Sequence, residues 1–508
     1  MPAVISGERR IDFDVLRDRA IRAAAGFRAM GVGEADCVAL FLRNDVAFFE
    51  AALGASLAGA YPVPINWHAT AEEAAYILDD CQAKALVVHA DLLPGIEPGV
   101  RDGLPALLVE TPPEIAAAYG LGGWPPAARA TTAWDAFVAG HAPLADPSPV
   151  NRSAVIYTSG TTGKPKGVRR QPPAPGATPP TLSGLTPFGL DQPGPIVVLM
   201  NGPMYHAAPN IYGLSAVFVG ADIVLQARFD AEEMLALIER HRVTHMHIVP
   251  TMFVRLLKLP EAVKARYDLS SLRFVVHGAA PCPPEVKRAM IDWWGPVINE
   301  YYGSSETGLA AFHTAREALE RPGTVGRPLP GVDIVVVGDD GRELGVGEVG
   351  ELYIRPANLP DFTYIGADDK RREVGRGAHV TVGDVGWIDA DGYVFLSDRK
   401  RDMVISGGVN IYPAEIEAVL VTLPGVRDCA VFGVPDDEFG EALCAYVEPL
   451  DGADLDPAAL RAGLAGRLSR FKVPKTVKIV PALPREDSGK IFKRKLRDPY
   501  WAGRGRAI

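Results

Sequence analysis

Helical patterns alternate with short, wholly apolar runs through most of this 508-residue chain, and that alternation restricts the fold more than any other feature. Residues 12–30 place Phe13, Leu16, Ile21 and Ala25 at helical spacing and stop near Gly31 and Gly33. Cys37–Leu42 reads as a strand, 46–59 as a second helix and Ala60–Ile65 as another strand. Asp230 is placed to cap a helix carrying Met234, Leu237 and Ile238 on one face. Strands Val243–Val249 and Leu272–His277 follow, with a helix between them. Helices alternating with buried strands predict βαβ units, hence an α/β fold around a largely parallel sheet.

The rhythm breaks twice. Residues 171–195 hold eight prolines and read as a long surface loop. From about 331 the pattern becomes hairpins: Val332–Val337, a turn at Asp339–Gly341, Val349–Ile354, and a second hairpin near Asp389–Leu396. Ser397–Asp402 (SDRKRD) has no apolar face and suits a linker. Beyond it a small α+β unit is predicted, with helices at 413–422 and 457–469, a strand at 429–434 and a basic tail. The expected plan is a large domain over 1–398, βαβ units with a β-hairpin subdomain, then a hinge at 399–402 and a small mobile domain over 403–508.

Composition narrows the partners. A net charge of −10 speaks against nucleic acid, whose binding needs a basic surface. Five scattered cysteines without a CxxC pair fit a reducing compartment and no disulfide framework. No signal peptide is visible, and no uncharged apolar run reaches the ~18 residues of a spanning helix. The expectation is a cytoplasmic protein without a transmembrane segment, with a homodimer left open.

The strongest chemical signal is Tyr157–Gly167, YTSGTTGKPKG, after the expected strand Ala154–Ile156. Small hydroxyl residues and glycines let the backbone approach a polyphosphate, and Lys164 and Lys166 add charge. It is not the Walker loop, because Pro165 follows Lys164 where that motif needs Ser or Thr. His245 and His247 share a strand face but lack a third ligand at sensible spacing, so they read as pocket support and not as a metal site.

This segment resembles the phosphate loop of the adenylate-forming superfamily: acyl- and aryl-CoA synthetases, peptide-synthetase adenylation domains and firefly-type luciferases. Further motifs appear in the family's order: YGSSETG at Tyr302–Gly308, Gly383–Asp384, DRKRDMVISGG at Asp398–Gly408 and PREDSGK at Pro484–Lys490. The resemblance implies an AMP-forming acyl-CoA ligase using ATP, Mg²⁺ and coenzyme A. ATP contacts would come from Thr158, Ser159, Gly160, Thr161, Thr162, Gly163, Lys164, Lys166, Glu300, Tyr301, Tyr302, Gly303, Ser304 and Ser305. Either Tyr301 or Tyr302 would stack on adenine, with Gly278, Ala279 and Ala280 against its other face. Asp384 and Arg399 would hold the ribose, and Glu306 the Mg²⁺. Lys490 would bridge the substrate carboxylate and the α-phosphate.

His206, in MYHAAP, resembles the gate of the acyl pocket, with Val249, Pro250 and Gly278 as further walls. Gly407, Gly408, Phe471 and Lys472 would meet CoA, and Arg401 would be the hinge. Two departures stand out: Val380–Val382 replaces the usual aromatic, Arg and Thr before Gly383, and Val473 replaces a frequent Arg. The MYHAAP segment lacks the Asp with which amino-acid-activating relatives bind an amine, which favours a non-amino acid, and the long 171–195 loop with the apolar gate points to a hydrophobic or aromatic acid. A carrier-protein-loading enzyme and a catalytically dead nucleotide-binding protein are the alternatives.

Overall fold

The computed structural model describes residues 1–150, 152–158, 165–172, 182–356, 359–399, 402–406, 409–485 and 491–502, with the side chains of 182–184 and 399 excluded. The helices and strands over residues 13–64 follow the predicted order, Phe13–Ala29, Cys37–Phe41, Val46–Leu57 and Tyr61–Pro64, and a helix Ala71–Asp80 and a strand Ala85–His89 that the sequence reading did not name continue the alternation. The strands pair in parallel in a five-stranded sheet. Helices Phe13–Ala29 and Val46–Leu57 pack so closely that a Cβ on Gly54 would lie 2.9 Å from that of Ala23, which explains their Ala- and Gly-rich faces. Phe48 and Phe49 are fully buried there, each worth roughly 1.5–3 kcal/mol.

A second sheet has fifteen strands among the described residues. Val197–Met200, His245–Ile248, Phe274–His277 and Ile298–Ser304 are parallel neighbours, and the helices Ala231–His241 and Pro250–Leu257 belong to their crossovers. Asp230 caps the first of these helices, its carboxylate accepting from Glu233 N at 2.9 Å. Beyond Ile298–Ser304 the pairing turns antiparallel and runs into the expected hairpins, with Asp333–Val337 on Gly350–Arg355 and Asp384–Ile388 on Val394–Arg399. The small unit builds its own five-stranded sheet around the long hairpin Val426–Asp436 and Gly440–Pro449.

Four expectations need correction. The strand before the phosphate loop is Ile156–Thr158, not Ala154–Ile156, because it pairs antiparallel with Lys166–Arg170, the two strands forming a hairpin. The described part of the proline-rich segment contains the 3₁₀ helix Leu182–Phe188, and Phe188 is buried in the core at 1% exposure, so that stretch is not all surface loop. Ser397–Arg399 is strand and not linker, held by the ladder to Asp384 and Val385. The basic tail contains a helix, Lys493–Trp501, tied down by Lys493 Nζ on Glu417 at 2.8 Å. The sequence reading also missed the N-terminal hairpin Ala3–Ser6 and Arg9–Asp12, which joins the large sheet beside Asp222–Leu225.

Candidate active site

The phosphate hairpin is anchored from behind. Tyr157 OH donates to Asp80 at 2.6 Å and Tyr76 OH to the Pro165 carbonyl at 3.1 Å, both from the helix Ala71–Asp80. Gly167 is required because a Cβ there would sit 2.8 Å from the Tyr157 ring. Thr158 and Lys166 face each other across the ladder at the mouth of the turn. Lys166 lies over the Tyr364 ring at 5.2 Å, and burial and nearby Lys370 pull its ammonium below the usual lysine range. Ser159, Gly160, Thr161, Thr162, Gly163 and Lys164 lie outside the described residues.

Glu306 sits on the turn joining Ile298–Ser304 to Gly308–His313. Ser304 Oγ accepts from the N–H groups of Glu306 and Thr307 at 3.2 and 3.0 Å. Arg170, from the phosphate hairpin, donates to the carbonyls of Ser305 and Glu306 at 2.8 Å each and to that of Pro360 at 3.1 Å. Burial lowers its guanidinium to about 10, against the pull of Glu306 and Asp361. Tyr364 OH donates to Glu306 Oε1 at 3.1 Å, and its strand Phe362–Tyr364 pairs with Lys166–Arg170.

Arg170 and Tyr364 thus lock the Glu306 turn to the hairpin. Among the described residues Tyr364 is the hydrogen-bond partner of the Glu306 carboxylate. No group of three or more potential metal ligands occurs among the described residues, so an ion here would draw most ligands from phosphate and water.

The two tyrosines part company because successive residues of a strand face opposite ways. Tyr301 points into the core. Its OH meets His247 Nε2 at 2.8 Å, its ring packs edge-on to Phe188, and a Cβ on Gly278 would lie 2.6 Å from it. Tyr302 points the other way and donates to Asp384 Oδ2 at 2.7 Å. Asp384 stands directly opposite Arg399 in its ladder, so the two expected ribose residues are neighbours through the backbone register. Ala279 adopts a left-handed φ of +66, a conformation that costs a non-glycine residue about 1–2 kcal/mol and collects at functional sites.

Glu300 calls for a correction of its side-chain role. Its carboxylate is buried on Lys287 and on His313 Nε2 at 2.7 Å, with His277 at 3.8 Å. Burial would raise this carboxyl, but Lys287, His277 and His313 hold it well below the usual range. Its side chain braces the strand, which leaves only its main chain to face a nucleotide.

His206 precedes the helix Ala207–Phe218, half-buried, with its ring 4.4 Å from that of Tyr205. The loop before it is pinned by Asn44, which donates to the Gly202 carbonyl at 2.8 Å and accepts from Met204 N at 2.9 Å. Val249 and Pro250 open the helix Pro250–Leu257.

The family described as AMP-binding enzyme matches residues 1–359, and that of the AMP-binding enzyme C-terminal domain matches 415–490. The chain belongs to the AMP-binding enzyme family. It is 31% identical over 513 residues to a fatty acid–[acyl-carrier-protein] ligase, ScoC, of Streptomyces coeruleorubidus, covering 100% of this chain and 95% of that one. It is 31% identical over 499 residues to an indoleacetate–CoA ligase of Aromatoleum aromaticum, at 96% and 93% coverage. Among solved structures, ATP-bound MatB from Rhodopseudomonas palustris superposes with a TM-score of 0.83 at 28% identity, covering 99% of this chain and 96% of that one.

For this AMP-binding enzyme, Gly407, Gly408, Arg401 and Lys490 also fall outside the described residues. Phe471 is 52% exposed, and Lys472 Nζ pairs with Glu415 at 2.6 Å. Sequence reading missed Arg170, Tyr364 and Asn44. Arg170 carried a weak signal, as a second arginine directly after the loop. Tyr364 and Asn44 carried none, since their partners lie 58 and 158–160 positions away.

Proposed function

We propose that this AMP-forming acid–thiol ligase activates a hydrophobic or aromatic carboxylic acid with ATP and passes it to coenzyme A. The observation that carries the reading is the Arg170–Tyr364 clamp, which fixes the Glu306 turn against the phosphate hairpin. A carboxylate oxygen attacks the α-phosphorus, the bond to the β-phosphate oxygen breaks, and pyrophosphate leaves. The CoA thiol, losing its proton, then attacks the acyl carbon and AMP leaves.

Both reactants of the first step are anions, so the site must neutralise charge and hold the attack in line. Lys166, residues 159–164 and Lys490 serve the phosphates. Tyr302, beside Asp384, is the tyrosine on the nucleotide side, while Tyr301 backs the acyl pocket with Gly278. Asp384 and Arg399 take the ribose. Glu306 would hold Mg²⁺, which screens the polyphosphate charge when bound. His206 gates the acid, with Val249 and Pro250 as walls. Phe471 offers an exposed ring to the CoA nucleotide, and Gly407 and Gly408 admit its pantetheine arm. The small domain turns about Arg401 between the steps. No helix among the described residues is long and apolar enough to cross a membrane, and a cytoplasmic site of action fits the cysteine usage.

The relative that loads a carrier protein keeps a second acceptor in view. Supplying CoA or a holo-carrier protein to the acyl-adenylate decides between them: thioester on CoA is expected.

With the right acid, labelled pyrophosphate should exchange into ATP without CoA. Exchange that strictly needs CoA would overturn the two-step scheme. Arg170→Met should leave a folded protein of lower Tm whose exchange rate drops by about 10²-fold, the scale of a displaced catalytic group. An unchanged rate would mean that the clamp does not position Glu306.

A further inference from the structure

The helix Pro250–Leu257 starts at the acyl-pocket walls and ends at Lys258. A helix C-terminus favours a cation, but the Lys258 ammonium reaches across to the small unit. It donates to the main-chain oxygens of Val426 at 2.7 Å and Arg427 at 2.5 Å. These residues open the strand Val426–Asp436. The next residue, Asp428, receives Arg485 at 2.6 Å, and Arg485 also holds Glu448 at 2.6 Å. Arg485 bridges to Ile491 and Phe492 N donates to the Pro484 carbonyl at 2.8 Å, so this arginine stands at the base of segment 486–490, which contains Lys490. Contacts therefore run unbroken from the acyl-pocket helix, through Lys258, to the foot of the Lys490 segment.

We infer that Lys258 is a positioning residue that docks the small domain in the orientation serving adenylation, and that its contact breaks before thioester formation. The inference rests on the two-step reading above. The chemistry of the contact suits a bond remade in every cycle. Two neutral carbonyls solvate the ammonium, and the carboxylate of Asp428, whose charge also favours it, is held by Arg485. Burial there pushes the ammonium down to about 8, a desolvation cost that offsets much of what the two hydrogen bonds contribute. On release both sides return to water. An apolar plug or a buried ion pair would hold harder and open more slowly.

Lys258→Met keeps the aliphatic stem and removes the donors, whereas Lys258→Arg keeps charge and donors. Nitroxide labels on exposed Glu261 and Asp451 report the distance between the domains without any substrate. The docked distance should lose several-fold in population in Lys258→Met and recover in Lys258→Arg. Pyrophosphate exchange should fall about tenfold in Lys258→Met, the scale of a hydrogen bond to a charged group, and return to within about threefold in Lys258→Arg. Thioester formation from synthetic acyl-adenylate should stay level or quicken. Equal loss in both half-reactions, or an unchanged docked population, would overturn the assignment. If no acid supports exchange in the wild-type enzyme, the ligase reading fails instead, while the label distances still decide whether Lys258 docks the domain.

Discussion

Lys490→Ala is expected to slow pyrophosphate exchange by on the order of 10²–10³, the usual cost of deleting a preorganised donor aimed at developing charge. Thioester formation from synthetic acyl-adenylate should stay within about threefold. The reason for the split is electrostatic. In adenylation two anions approach and charge builds on the α-phosphate oxygens, whereas the thioester step starts from the mixed anhydride and needs no such bridge. Five positions before Lys490, Arg485 is fastened to both Asp428 and Glu448 at 2.6 Å. Lys490→Arg should recover only part of the rate, because a planar fork does not replace a compact ammonium. Measuring both half-reactions separately is the test, and equal damage to the two would make Lys490 a structural residue.

The protein should also be unusually sensitive to mild acid. Burial lowers His245 and His247 to about 4 and His277 to about 3, all below the ordinary 6.5. The unfolded chain therefore takes up these three protons first. Their contribution to stability is fully present above pH 6.5 and is lost as pH falls toward the folded values. Glu417 acts in the opposite sense, because burial raises its carboxyl to about 7 even beside Lys493, so the folded state gains one proton between 7 and 4.5.

A net of two protons corresponds to a slope of about 3 kcal/mol per pH unit between pH 6 and 4.5. Glu300, held below its ordinary 4.5 within the Lys287–His313 network, adds to the loss further down. Denaturant midpoints at pH 7.5, 6.5, 5.5 and 5.0 measure this directly. His277→Asn should flatten the slope by about a third to a half, and a stability profile that is level from pH 7.5 to 5 would contradict the argument.

Local pattern carried a great deal. The alternation of apolar strands with amphipathic helices fixes the βαβ order, since each element declares which face it must bury. Asp230 announces its helix because a cap acts on a backbone N–H three residues away. The signals at Tyr157–Gly167, the Glu306 motif and Gly383–Asp384 are also local, as the chemistry proposed for them needs particular residue types in a short run.

Side-chain partnerships across the fold were not legible. Arg170 reaches Ser305 over 135 positions and Tyr302 reaches Asp384 over 82, and nothing nearby in sequence marks either pairing. The neighbouring tyrosines look alike in the sequence. Only the register of Ile298–Ser304 in its sheet sends Tyr301 beneath Gly278 and Tyr302 toward Asp384, because a one-residue slip would exchange the faces. Glu300 looks like a nucleotide contact in the sequence, but Lys287 and His313, brought in by a helix and a strand that local pattern does not position, take up its carboxylate. Ser397–Arg399 looks like a linker by composition and is strand because Asp384 and Val385 offer it a ladder. Periodicity encodes which face is buried, while the choice of partner depends on the three-dimensional path of the whole chain, and that choice assembles this active site.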